Sequence, residues 1–140
     1  MKYLFFSLFI SLNLSAGEVK DFSLPKYKDD KTFKLSEHLG KKTIVLNFWA
    51  TWCTSCIQEL PELHALKAKY PSALFIGINS GEKKKLIKKF LKRHKFDFEH
   101  LVDPKMKVAD LYGITAIPVT IVIDKNKKIV FNGARPPKNL

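Results

Sequence analysis

An apolar run that stops abruptly at two closely spaced cysteines constrains this chain more than any other feature. Ile44-Val45-Leu46-Asn47-Phe48-Trp49 reads as a strand from the centre of a sheet covered on both faces. It gives way at Trp52-Cys53-Thr54-Ser55-Cys56 to a segment of helical character, and the chain has no other cysteines. At a helix start, free backbone N–H groups and the helix dipole stabilise a thiolate, which makes Cys53 a nucleophile near neutral pH. Cys56, one turn further in, can close a disulfide with it and reopen it. Two blander readings stand beside this one: a purely structural disulfide, and half of a zinc site. Tetrahedral zinc wants four ligands, and there is no second cysteine pair and no paired histidines to complete the set. A redox centre is the stronger reading.

The first residues read as an export signal rather than as fold. Met1-Lys2 supplies a positive start, Leu4 to Leu14 is almost wholly apolar, and Leu14-Ser15-Ala16 ends in small residues. The pattern predicts a signal peptide over residues 1–16, cleaved after Ala16. An uncleaved membrane anchor is the rival, and the run falls short of the ~20 residues a bilayer-spanning helix needs. No cysteine lies near the cleavage point to carry a lipid. The remaining 124 residues, 17–140, suffice for one domain with a real core and are too few for two. Export leads to an oxidising space, and the compact signal looks bacterial, so the periplasm or the outer face of a membrane is expected. Net charge is +12, or +11 without Met1–Ala16, which suits acidic partners and anionic headgroups. A lysine-rich solvated surface would give the same number. No nucleic-acid motif is present.

Along the chain, Asp21–Pro25 and Thr32–Leu35 predict an N-terminal hairpin around the Lys28–Lys31 turn. A helix is expected from about Cys53 to Lys69, with Leu60, Leu63, Leu66 and Tyr70 on its buried face and Pro61 kinking it. Leu74–Asn79 reads as a second buried strand. Glu82–His94 reads as an amphipathic helix with Leu86, Ile87, Phe90 and Leu91 on one face. An extended piece over Phe98–Val102, a short helix over Lys105–Tyr112 and a closing hairpin over Thr120–Ile123 and Lys128–Phe131 complete an α/β fold with a mixed sheet. His38, His64, His94 and His100 lack ligand spacing, and each is expected at the surface or in a cap.

At this point the residues match a family. Asn47-Phe48-Trp49-Ala50-Thr51-Trp52-Cys53-Thr54-Ser55-Cys56 followed by Glu59-Leu60-Pro61 resembles exported thioredoxin-like proteins of the TlpA/ResA type. Asp21–Leu24, Phe98–Asp103 and Tyr112–Pro118 agree in order, so the likeness runs over roughly residues 18–133. It implies a thioredoxin fold, a central mixed β-sheet flanked by helices, with an N-terminal β-hairpin and an inserted helix at Glu82–His94. It also implies dithiol–disulfide exchange with protein substrates, in this family often apocytochrome c thiols before haem attachment, with electrons supplied by a membrane thiol reductase. No cofactor or resident metal is implied.

The resemblance also assigns residues. Cys53 attacks and Cys56 resolves the mixed disulfide. Glu59, three residues past Cys56 and on the same helix face, would move the Cys56 proton if burial raises its pKa, and otherwise is an ordinary solvated glutamate. Cytosolic thioredoxins resemble this chain but carry a buried aspartate where Asn47 stands, and Asn47 cannot titrate. In the family the bond before Pro118 is cis and the backbone of the preceding residue, here Ile117, pairs with a bound substrate strand. Trp52 is expected beside Cys53 as an apolar rim. Val119 departs from the acidic residue that some cytochrome-maturation members place there.

After Gly133 the remaining seven residues, with Pro136 and Pro137, cannot form the helix that normally closes such folds. The missing helix predicts a bared patch of sheet used for homodimerisation or docking. A second functional class stays open, a copper(I) metallochaperone using the two thiolates as soft ligands.

Overall fold

The computed structural model describes residues 17–140; the expected signal segment, Met1–Ala16, lies outside the described residues. Five strands form one sheet in the order β5-β4-β3-β6-β7, and two more form a separate hairpin. The hairpin pairs β1 (Ser23–Pro25) with β2 (Thr32–Lys34), close to where the turn residues place it. It is fastened to the sheet edge by Tyr27, whose N–H donates to the His100 carbonyl at 2.8 Å.

β3 (Ile44–Trp49) lies at the centre, parallel to β4 (Leu74–Ser80) and antiparallel to β6 (Val119–Ile123). β5 (Glu99–Asp103) extends the parallel side, and β7 (Ile129–Gly133) closes the antiparallel side. Every residue of β3 is buried, as a near-continuous apolar run requires.

Strand alternation divides the interior into two cores. Ile44, Leu46, Phe48, Ile76, Ile78, Ile121 and Ile123 point to one face, where Phe22, Leu24, Phe33 and Leu35 of the hairpin region and the helix α4 (Lys107–Leu111) cover them. Val45, Trp49, Phe75 and Val122 point to the other, under the helices α1 (Thr54–Gln58), α2 (Leu60–Lys69) and α3 (Lys84–His94). The second core contains both cysteines. This is the thioredoxin fold.

Three expectations are corrected. The helix after the cysteines is broken in two, because Pro61 has no N–H to return to the Ile57 carbonyl and its ring crowds the preceding turn. Glu59 sits at the joint, and Pro61 is accommodated in the first turn of α2. In α3, Leu86 turns to solvent while Ile87 and Phe90 carry the buried face. His100 is buried, wedged against Trp49, Phe96 and Phe98. Its ring occupies the space over Gly77, where a Cβ would collide with it and crowd Trp49, so this strand position has room only for glycine. Burial pushes the His100 imidazole down to about 4.

Residues 134–140 form no helix and lie along α2. Arg135 pairs with Glu62, and the Asn139 side chain accepts from Lys69 Nζ and from the Tyr70 hydroxyl at 3.3 Å. Leu140 and Phe131 pack, half-buried, against the second core.

Candidate functional site

β3 ends at Trp49, at the carboxyl end of the parallel strands, and Ala50-Thr51-Trp52 turns the chain into α1. Cys53 occupies the N-cap position with extended backbone, and its sulfur accepts a hydrogen bond from the Cys56 N–H at 3.1 Å. The two sulfurs are joined as a disulfide with a Cα–Cα separation of 5.3 Å. α1 has only five residues, so direct donation to Sγ, rather than a long helix dipole, is what favours a thiolate at Cys53. Both cysteines are nearly equally covered, at 4% and 3% exposure. Trp52 beside them is 71% exposed and presents an apolar face at the site.

Glu59, three residues past Cys56 at the junction of α1 and α2, is only 2% exposed. Its Oε1 accepts from Asn47 Nδ2 at 2.7 Å, and the same amide reaches Thr120 Oγ1 at 3.2 Å. Its Oε2 is buried without a hydrogen-bond partner. Burial therefore dominates and pushes the carboxyl up to about 7, against the smaller opposing pull of the Asn47 amide and the Arg135 charge.

A groove of about 550 Å³ opens beside this group. Ser55, Gln58 and Glu59 form one wall and the Tyr112–Val119 segment the other, with Asn132, Ala134 and Arg135 at one end. The Ile117–Pro118 bond is cis. Ile117 packs against the core that holds both cysteines. Among the described residues, no backbone hydrogen bond outside the strand ladders engages Thr115, Ala116 or Ile117. The loop is positioned from below by Asp103, whose carboxylate accepts from the N–H groups of Lys107, Val108 and Ala109 at 2.9–3.1 Å and so fixes α4. Tyr112 at the end of α4 hydrogen-bonds the Lys20 backbone, and burial pushes its hydroxyl up to about 12.

Of the residues expected at the site, Glu59, Ile117 and Pro118 line this groove and Ile117 packs against the core with Cys53 and Cys56, whereas Trp52 and the two cysteines are not among its lining residues. Sequence reasoning missed two residues around the cysteine turn and the groove. Glu82, buried after β4, accepts from Thr51 N at 2.8 Å, from Thr51 Oγ1 at 2.5 Å and from Asn79 Nδ2 at 2.8 Å, pinning the turn that carries Trp52 and Cys53. The polar Asn79 inside a buried strand was the available signal. Arg135, the one charged side chain of the tail before Lys138, was the other. Among the described residues no group of three or more His, Cys, Asp or Glu side chains is arranged to hold a metal ion.

Fold and site together define a thioredoxin-fold chain with a reversible cysteine pair. The chain belongs to the AhpC/TSA family, whose model matches residues 16–132. It is similar to the thiol-disulfide oxidoreductase ResA of Halalkalibacterium halodurans, 31% identical over 91% of this chain and 74% of the relative. It is also similar to ResA of Geobacillus thermodenitrificans, 33% identical over 72% of this chain. The chain spans only 59% of that second relative's length. A solved structure described as a thiol:disulfide interchange protein DsbE from Chlorobium tepidum matches with a TM-score of 0.77 and 30% identity, over 88% of this chain and 87% of that one.

Proposed function

We propose that this protein is a thiol–disulfide oxidoreductase that passes two electrons to protein disulfides through Cys53 and Cys56. The observation that carries the reading is the buried, half-partnered Glu59 carboxyl, three residues past an α1-capping cysteine pair and lining a groove walled by the Ile117–Pro118 loop.

In the reduced protein the Cys53 thiolate, held by the Cys56 N–H, attacks one sulfur of a substrate disulfide and expels the other as a thiolate. A mixed disulfide joins Cys53 to the substrate. The ionised Glu59 then takes the Cys56 proton, and the resulting thiolate attacks Cys53 Sγ, closing the observed disulfide and releasing the second substrate sulfur. The two substrate thiolates take up one proton from Glu59 and one from water, the latter replacing the proton Cys53 gave to water when it ionised, so the protein dithiol is oxidised as one substrate disulfide is reduced. The free backbone of Thr115–Ile117 receives the substrate as an added strand, with Trp52 as an apolar rim.

The finer reading is an exported reductant, a single domain over residues 17–140 following a cleaved signal, working in the periplasm. It draws electrons from a membrane thiol reductase and serves extended polypeptides with paired thiols, apocytochrome c among them. A second copy docked on the sheet face beside the 134–140 tail would make it a homodimer.

The test is turnover of insulin disulfides. The wild type reduces insulin, Cys53→Ser does not, and Cys56→Ser accumulates a stable mixed disulfide; an active Cys53→Ser variant overturns the assignment. A reduction potential near about −270 mV supports a reductant, and one near about −120 mV reverses the direction of flow.

A further inference from the structure

We propose that Arg135 makes the groove beside the cysteine pair selective for polypeptide segments carrying an aspartate or glutamate within a few residues of the reacting cysteine. This deepens the exchange reading above and rests on it.

The residues around the groove include three ionisable ones, Glu59, Tyr112 and Arg135. Glu59 lies on the floor and is almost wholly covered. The Tyr112 hydroxyl is committed to the Lys20 backbone. The charge that meets an incoming chain is therefore the Arg135 guanidinium, whose side chain is 68% exposed. The rest of the surface is neutral: Gln58, Thr115 and Asn132 offer hydrogen bonds, while Ala116, Ile117 and Pro118 offer apolar contact. A lysine on the substrate would meet the Arg135 charge, offset only by Glu62 at its side and by the buried Glu59.

Arg135 already pairs with Glu62 of α2, whose side chain is 45% exposed. An ion pair this open contributes only about 0–1 kcal/mol, so a substrate carboxylate can share or displace it at little cost. The guanidinium has five donors in a planar fork and can serve two carboxylates at once. Its backbone is held in place. Pro136 and Pro137 restrict the chain directly after it, and Asn139 ties the tail to Lys69 and Tyr70. The selectivity thus depends on the 134–140 tail, which lies along α2.

The experiment compares three disulfide-bonded peptides, identical except for aspartate, asparagine or lysine two residues from the cysteine, reacted with the reduced full chain under stopped flow. The wild type is expected to favour the aspartate over the lysine peptide by about threefold to fivefold at about 10 mM ionic strength, and to lose the preference at about 1 M, where screening acts within about 3 Å. Arg135→Gln should abolish the preference and Arg135→Glu invert it. Glu62→Gln separates selectivity from a merely structural ion pair: it breaks the same contact as Arg135→Gln but should sharpen the preference by freeing the guanidinium. Equal rates for the three peptides, or Glu62→Gln behaving like Arg135→Gln, overturns the proposal. Failure of wild type to react even with the asparagine peptide would instead remove the exchange reading itself.

Discussion

Two buried glutamates flank the cysteine turn, and their surroundings differ sharply. Glu82 receives three hydrogen bonds, two from Thr51 and one from Asn79, through both of its oxygens. Glu59 receives one, from Asn47, and leaves its second oxygen buried and unpartnered. The same side chain is thus a fastening in one place and, in the exchange reaction proposed above, a poised proton carrier in the other. What separates them is the number of donors that remain once water is excluded.

The largest effect should come from breaking the fastening. Glu82→Ala strands the Thr51 and Asn79 donors and is expected to cost about 4 kcal/mol, lowering Tm by roughly 10 °C or more in thermal unfolding. Glu59→Gln should leave Tm near or above the wild-type value, since it removes a carboxyl that burial disfavours in its charged form. A comparable loss in both variants would erase the distinction.

The next effect is in the pH dependence of stability. Glu59 is raised from 4.5 to about 7, so the folded state holds its proton more tightly and loses stability as pH rises through that window. His100 is lowered from 6.5 to about 4, so the folded state gains stability as pH rises between those values. Each contribution is on the order of 3 kcal/mol, and they oppose one another where they overlap. Denaturant unfolding should show a nearly flat wild-type profile across the overlap, while Glu59→Gln should lose stability on acidification as His100 alone takes up its proton.

In kinetics, Glu59→Gln should slow resolution of the mixed disulfide by about 10²-fold near neutral pH and remove the limb of the pH–rate profile that Glu59 governs. Identical rates across that range would return Glu59 to a structural part. The smallest effect is expected from Arg135→Gln. Removing its charge takes away a pull that lowers the Glu59 pKa, so the Glu59 limb should move to higher pH with the maximal rate little changed.

How far the sequence could be read follows from where each contact partner lies. β3 and the cysteine turn were legible because an unbroken apolar run and its end are local. Pro61 marked the trouble in the helix, but local chemistry does not say whether a proline bends a helix or divides it. His100 was misread because its neighbours Trp49 and Phe96 converge on it only once β3, β4 and β5 are laid side by side. Glu82 was invisible for the same reason, acting on Thr51 at a separation of 31 residues. Glu59 was found through the family motif, while the missing donor at its second oxygen required the packed structure.

The chain's two tryptophans lie on opposite sides of the solvent boundary. Trp49 is fully buried, whereas Trp52 stands in water next to the sulfur pair. A disulfide quenches a neighbouring indole more strongly than two thiols do, so opening and closing the Cys53–Cys56 bond modulates the emission of Trp52 in place. If the proposed exchange reaction holds, Trp52 emission should follow the oxidation state of the pair, and electron transfer can then be timed without attaching a dye.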